Sequence, residues 1–171
     1  MKKTVYRTAL AGILCALALA LSFCENLIPA LPFLPPGAKP GLSNIIVMFA
    51  AGNIGLPMAL AITLVKGGFA FATRGATAAL MSLAGGIGAT IVSWLLLKYA
   101  NKKLGLMGIS VISALVHNSG QLLASIFITG SKMTAYYAPA LAIFGVITGM
   151  LTGILLRAIM PALGSRVSIE H

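Results

Sequence analysis

One apolar segment carries a stripe of polar side chains that could bind a small molecule. The stripe consists of Ser110, Ser113, His117, Gln121 and Ser125, with Asn118 beside it. Its members follow one another at steps of three and four residues and therefore share one face of an α-helix. In an apolar helix such a face turns toward protein or a cavity and away from lipid. The stripe could bind a polar substrate, or it could hydrogen-bond to neighbouring helices. We expect at least one of His117, Asn118 and Gln121 to contact a ligand.

Basic residues lie in or beside each of three connections that should share one side of the membrane. They are Lys39, Lys66, Arg74 and Lys132. Lys66 precedes the Gly67-Gly68 pair, and Lys39 lies in a Pro-Gly-rich segment whose backbone amides could also bind an anion. If these cations converge, they form an anion-binding pocket. The alternative is that each one extends to lipid headgroups.

Two polar residues near the ends of predicted helices could belong to the same pocket. Glu25 closes the first apolar segment, where it could pair with one of the basic residues or bind a ligand. Asn44 follows Pro40-Gly41-Leu42-Ser43 at the start of the second segment. It could cap that helix or point into the cavity, and Ser43 is the preferred cap.

The scarcity of acidic residues excludes several kinds of catalytic and metal site. Glu25 and Glu170 are the only acids, and the sequence has no Asp. Paired carboxylates for acid/base catalysis, two-metal sites and Asp-rich Mg²⁺-diphosphate motifs are therefore absent. The Gly85-Gly86-Ile87-Gly88 run lacks the preceding strand of a nucleotide-binding loop, and no Walker motif occurs. We predict a protein that is not an enzyme and holds no metal or cofactor.

Composition indicates that these residues are positioned by membrane-spanning helices. The 171 residues are 59% hydrophobic and 8% charged, with a mean hydropathy of +1.02. A bilayer core needs about 20 apolar residues per helix, so the chain has room for about six spans. We predict an all-α bundle of six transmembrane helices in a single domain over residues 1–171, at about 5–28, 42–52, 57–71, 76–97, 104–128 and 137–159. The second helix is short, so it should tilt, end in irregular backbone buried by protein or insert only partly.

Orientation follows from the distribution of Lys and Arg. With the N-terminus inside, eight basic residues are cytoplasmic (Lys2, Lys3, Arg7, Lys98, Lys102, Lys103, Arg157 and Arg166), against four outside. We therefore predict that both termini are cytoplasmic and that the protein is a multi-pass component of the cell membrane. We attribute the formal charge of +10 to basic residues that set the topology and contact membrane lipid, rather than to residues that bind nucleic acid.

Two motifs resemble those of a known family. Pro36-Gly-Ala-Lys-Pro-Gly-Leu-Ser-Asn44 and Ala114-Leu-Val-His-Asn-Ser-Gly-Gln121 are similar to segments of the Gx transporter family, also labelled heptaprenyl diphosphate synthase component I. The resemblance covers nearly the whole chain. Its architecture is similar to the substrate-binding S components of energy-coupling factor (ECF) transporters, which have six helices, both termini inside and a substrate site near the outer face.

The resemblance implies a role and partners. It implies an S component that captures a small vitamin, cofactor or isoprenoid-related compound. From the residues themselves we expect that compound to be anionic and to bind in an outer cavity framed by Lys39, Asn44, Lys66, Arg74, His117, Asn118, Gln121 and Lys132. S components dock on a transmembrane coupling protein through an Ala-x-x-x-Ala face of helix one, which Ala16 and Ala20 match and Gly12 extends. ATPase subunits of the ECF module would supply the energy.

The family label allows a second interpretation. The chain could be a non-catalytic membrane accessory subunit of heptaprenyl diphosphate synthesis, with a cytoplasmic binding surface around 98–103 and no outer pocket. A channel or proton-coupled carrier would need an acid in the middle of the membrane, and Glu25 lies too near a helix end. The location of the functional residues distinguishes the first two interpretations.

Overall fold

The computed structural model describes residues 2–27 and 38–164, which fold into six α-helices. They are α1 Lys2–Leu27, α2 Asn44–Asn53, α3 Leu56–Arg74, α4 Ala76–Tyr99, α5 Asn101–Thr129 and α6 Ala138–Gly164, with a 3-10 helix, Lys132–Tyr137, before α6. No strand occurs in these ranges. The predicted all-α fold is confirmed. Most of the proline-rich stretch and the predicted cytoplasmic Arg166 lie outside the described residues.

Five helical segments are long and apolar enough to cross a membrane. They are Val5–Leu27, Leu56–Arg74, Ala76–Tyr99, Asn101–Thr129 and Lys132–Ile159. Large apolar side chains cover their outer faces, and Phe127 is 90% exposed. Such a surface is stable in lipid and not in water. The chain is a multi-pass membrane protein.

The short helix α2 lies in the middle of the bundle. The other helices pack in the order α1, α3, α4, α5 and α6, while α2 contacts α1, α3, α4 and α6. Six of its ten residues are buried, and its apolar side chains face all directions, as expected of a helix surrounded by others. With Leu14, Ala18, Ile109 and Leu156 of neighbouring helices, α2 forms the main core.

The depth of its first residue explains why α2 is short. Asn44 bonds to Lys66, eight residues before the end of α3, and Lys39 bonds to Gln121, eight residues before the end of α5. Eight helical residues span about 12 Å, so Lys39 and the start of α2 both lie about that far from the ends of α5 and α3. Residues 38–43 are thus irregular backbone inside the bundle, and none of them is exposed, which is one of the three arrangements expected for a short second helix.

Glycines let the helices approach to backbone contact. A Cβ at Gly149 of α6 would lie 2.5 Å from the Cα of Val111 on α5, and one at Gly153 would lie 2.8 Å from the Cα of Met107. On α4, the Gly85 position is similarly filled by the His117 backbone of α5. Lipid supplies little hydrophobic force between helices, so this close packing stabilises the bundle.

One face of α1 meets no other described helix. Gly12, Ala16 and Ala20 are exposed, and a Cβ added at Gly12 would have no atom within 4 Å. On α4 and α6 the small residues are used for internal packing. On this face of α1 they leave a smooth surface open to the membrane.

Candidate functional site

The site is built around residues 38–43, the segment that precedes α2. Ala38, Pro40 and Ser43 are buried, although the segment belongs to no helix. Its backbone is held by the side-chain amide of Gln121, whose Oε1 accepts the Lys39 N–H at 3.2 Å and whose Nε2 donates to the Lys39 carbonyl at 3.3 Å. These bonds satisfy peptide groups at a depth where water is scarce. Gln121 therefore positions the segment, whatever else it contacts.

A buried carboxylate holds the other end of this segment. Glu25, 6% exposed, lies on α1, and its Oε1 accepts the backbone N–H of Ser43 at 2.7 Å. Ser43 occupies the cap position of α2, but its side chain makes no capping hydrogen bond. The preference for Ser43 as a side-chain cap is therefore wrong, because the Ser43 backbone is already helical in φ and ψ and the first amides of α2 donate to the carbonyls of Gly41, Leu42 and Ser43. Glu25 joins α1 to the start of α2.

The ammonium of Lys66 is buried beside a neutral partner. Lys66 is 6% exposed, and its Nζ donates to Oδ1 of Asn44 at 2.7 Å. An amide oxygen satisfies one of the three donors and cancels none of the charge. A buried cation of this kind is costly unless an anion or other charge offsets it. Asn44 points at Lys66 and thus into the site, rather than capping its own helix.

These groups line a cavity at the end of the bundle where α1, α3 and α5 finish, which we call the rim cavity. Three cations and one acid face it, for a formal charge of +2. Its lining residues are Ser22, Glu25, Asn26, Lys39, Gly41, Ser43, Lys66, Phe69, Ala70, Arg74, Ala78, Ser82, His117 and Gln121. Low dielectric surroundings strengthen the positive potential of such a cleft. The potential of the rim cavity is therefore positive.

The electrostatic environment also acts on Lys39. Burial lowers the pKa of its ammonium below the ordinary 10.5, the nearby Arg74 lowers it further, and Glu25 partly offsets both. The first effect is desolvation and the second is like-charge repulsion. Both would be relieved by an anion placed between Lys39 and Arg74. Like-charge repulsion between Lys39 and Arg74 is therefore part of the electrostatics of this cavity.

The hydrogen bonds of Gln121 fix the state of His117. Because Oε1 of Gln121 accepts from Lys39 and Nε2 donates to it, the close contact between Gln121 Nε2 and His117 Nε2 requires the ring nitrogen to accept. The imidazole proton then lies on Nδ1, against the backbone of Gly85. His117 is thus a neutral wall of the cavity in this arrangement, whereas Lys66 is its cation.

A second cavity, which we call the deep cavity, lies beyond that wall. It is lined by Pro40, Gly41, Asn44, Val47, Met48, Ala89, Thr90, Ser93, Ser110, Ser113, Ala114, His117, Thr148 and Thr152. No charged side chain belongs to this lining. Gly41 and His117 border both cavities. The space inside each measures about 20 Å³, room for only one or two water molecules, so any larger ligand must displace side chains.

Among the predicted site residues, six lie together and two do not. Lys39, Asn44, Lys66, Arg74, His117 and Gln121 line one or both cavities. Asn118 turns to α6, where its Nδ2 donates to the Leu141 carbonyl at 2.9 Å. Lys132 is exposed at the start of the 3-10 helix and lines neither cavity. Asn118 is thus placed as a helix-helix contact, and Lys132 as a surface cation.

Several lining residues carry no signal in the sequence. Gly41, with φ +76°, brings its backbone against the His117 ring, so that a Cβ there would lie 3.0 Å from Cδ2 and Nε2. The deep hydroxyls come from three different helices, and only Ser110 and Ser113 belong to the stripe on α5. The hydroxyls of Thr90, Ser93 and Thr148 bond within their own helices, a common use that points to no ligand. Within the described residues, no three His, Cys, Asp or Glu side chains group to hold a metal.

The fold and site together define a class of protein. A polytopic helical bundle with a positively charged, partly apolar cavity at one end has the form of a membrane protein that binds a small molecule. The structure is similar to one solved as the S component of a bacterial ECF transporter, with a TM-score of 0.74 and 18% sequence identity. The match covers 96% of this chain and 99% of the other. The shared fold is therefore that of an S component.

The family follows from the sequence. Residues 14–159 match the model of the family described as heptaprenyl diphosphate synthase component I, and the chain belongs to that family. None of the curated proteins matches it. The resemblance stated from the two motifs is confirmed by both the family and the fold.

Proposed function

We propose that the protein is the substrate-binding subunit of an ECF-type uptake transporter and captures a small anionic compound at the outer face of the cell membrane. The observation that carries the anionic preference is the Lys66 ammonium, buried and bonded to the neutral Asn44. Lys39 and Arg74 add positive charge around it, against Glu25 alone. A ligand that brings negative charge offsets the cost of burying these cations.

The fold supports the assignment to a transport subunit. The resemblance to S components implies a ligand site near one end of the bundle, and the rim cavity of this chain lies at such an end, with the deep cavity adjoining it. The protein has no Walker motif, so the energy for uptake comes from separate ATPase subunits through a transmembrane coupling protein. The exposed face formed by Gly12, Ala16 and Ala20 supplies a smooth helix surface on which such a partner can pack.

Outward capture rests on the distribution of basic residues. Most Lys and Arg lie toward the end of the bundle opposite the rim cavity, and the excess of these residues marks the cytoplasmic side. Introduced cysteines test this directly, in a protein whose Cys15 and Cys24 are replaced by Ala. Lys132→Cys should react with an impermeant maleimide added to intact cells, and Arg157→Cys should react only after lysis. The reverse pattern would place the cavity inside and refute outer capture.

Purification tests the function as a whole. We expect tagged protein, extracted in mild detergent, to retain an anionic metabolite and to co-purify with a membrane coupling subunit and ATPases, identified by mass spectrometry. The Lys66→Met variant should keep the protein partners and lose the metabolite. Matched Lys102→Met, at an exposed lysine near the opposite end of the bundle, should keep both. A wild-type preparation that yields neither coupling subunits nor ligand would contradict the proposal.

The family description favours a second candidate, a non-catalytic accessory subunit of heptaprenyl diphosphate synthesis. The surface for it would be the end opposite the rim cavity, where Lys98 lies 5.0 Å from the Trp94 ring and 5.3 Å from the Tyr99 ring. The same purification separates the two. A soluble prenyl synthase recovered without ATPases, and lost on replacing Lys98, Lys102 and Lys103 together, would establish the accessory role.

A further inference from the structure

Resting on the proposed function, we infer that the ligand has two parts. Its anionic group occupies the rim cavity, and an uncharged body, mostly apolar with one hydrogen-bonding group, occupies the deep cavity. The deep cavity thus binds part of the ligand, and Ser113 contacts it directly.

The two cavities are adjoining compartments. Gly41 and His117 line both, and the His117 ring packs directly on the Gly41 backbone. These two residues therefore form part of the wall between the space beside Lys66 and the space beside Ser113. Because two ring atoms of His117 are among the three heavy atoms nearest to a Cβ at Gly41, rotation of the imidazole would widen the connection between the two cavities. A ligand whose charged group sits at Lys66 would extend its body in this direction.

The deep compartment suits an uncharged, largely apolar body. Val47, Met48, Ala89 and Ala114 contribute apolar surface. The hydroxyl of Ser110 is taken by Met48 Sδ at 3.4 Å. Methionine adapts its shape easily, so Met48 can move aside for a ring or short chain. A charged body would find no counter-ion among these residues.

Ser113 is the exception among the hydroxyls of this compartment. It is 8% exposed, and its Oγ is buried without a hydrogen-bond partner in the described part of the chain. An unsatisfied buried hydroxyl destabilises a fold, so its persistence here calls for a partner that the protein itself does not provide. A polar group on the ligand body supplies one. The body therefore carries a single hydroxyl, carbonyl or ring nitrogen at that position.

Three related anions test the inference by calorimetry on protein in lipid nanodiscs. Methylphosphonate presents the head alone, benzylphosphonate adds an apolar ring, and 4-hydroxybenzylphosphonate adds a polar group to the ring. We expect benzylphosphonate to bind at least ~10-fold more tightly than methylphosphonate, since part of a ring is buried. The hydroxyl should add a further ~3- to 10-fold, the usual effect of one hydrogen bond.

Variants of Ser113 test whether the gain in affinity from the ring and its hydroxyl arises in the deep cavity. Ser113→Leu, which fills the deep cavity, should bring both ring compounds to the affinity of methylphosphonate and leave methylphosphonate unchanged. Ser113→Ala, a smaller change that keeps the packing, should remove only the increment from the hydroxyl. Ser119→Leu, on the exposed side of α5, should alter none of the three affinities.

The outcomes separate this inference from the function on which it rests. Equal affinity for the three probes, weakened in each case by Lys66→Met, would overturn the deep compartment and keep the anion site. A ring advantage that survives Ser113→Leu would also overturn it. Failure of every probe to bind the wild-type protein would overturn both the anion site and the two-part ligand.

Discussion

Replacing Lys66 by Met separates binding from folding. Methionine nearly matches the lysine stem in length, so it removes the charge and leaves most of the packing. The bound anion would lose one charge-assisted hydrogen bond, worth about 1.5–3 kcal/mol, which corresponds to a Kd raised about 10- to 150-fold. The change in stability should be small, because relief of a buried charge is opposed by loss of the donor to Asn44.

The assay is calorimetric titration with the metabolite that co-purifies with the wild-type protein, alongside thermal unfolding in the same detergent. Lys66→Arg keeps the charge and should retain more affinity than Lys66→Met. Lys102→Met, which removes an exposed lysine, should bind as the wild type does. An affinity for Lys66→Met within twofold of wild type, in a folded protein, would refute the role of this ammonium.

Three further predictions concern the segment that enters the bundle. Gly41→Ala should destabilise the protein by about 1–2 kcal/mol, because the φ of +76° at this position disfavours a side chain. The control Gly12→Ala should not destabilise it, and equal melting temperatures for the two variants would contradict this prediction. Glu25→Leu, which leaves the Ser43 amide unpaired, should cost about 1–3 kcal/mol in thermal unfolding, and Glu25→Gln should restore most of the loss; a Gln variant no better than Leu would show that the hydrogen bond is not the cause. Because the pKa of Lys39 lies below 10.5, its charge is lost as pH rises. In a Lys66→Arg background, where the other cavity lysine stays charged, anion affinity should therefore fall with a midpoint below that value, and Lys39→Arg should move the fall to higher pH. An unchanged profile would exclude Lys39 as the titrating group.

Local patterns were sufficient to predict the helices but not their depths. Runs of apolar residues mark each span, because a bilayer imposes both length and composition. The short second segment left three arrangements open, since nothing within 42–52 indicates how deep in the bundle this helix begins. That distance is set by contacts of Lys39 and Asn44 with residues 82 and 22 positions away. Contacts at such separations follow from the assembled bundle.

The same limit applies to the candidate site. Helical periodicity correctly placed His117 and Gln121 on one buried face of α5. The basic residues were singled out by their charge and position, and Lys39, Lys66 and Arg74 lie in the lining of one cavity. Periodicity gives the direction of a side chain and not the identity of its neighbour. Asn118 lies beside the stripe and is equally buried, yet it faces α6. Of the deep hydroxyls, Ser110 and Ser113 were predicted with the stripe, whereas Thr90, Ser93, Thr148 and Thr152 were not, because serine and threonine are common in membrane helices.

The buried course of residues 38–43 has a practical consequence. A hydropathy profile would mark this stretch as a surface loop and a convenient place for an epitope tag or a reporter fusion. An insertion there would have to be accommodated among α1, α3 and α5, where the peptide groups are held by Glu25 and Gln121, and the bundle would not close around it. The turn at Ala100, flanked by exposed residues, is the better site, since exposed turns tolerate added chain. For the same reason, the amides of Lys39 and Ser43 should exchange slowly with deuterium, although they belong to no helix.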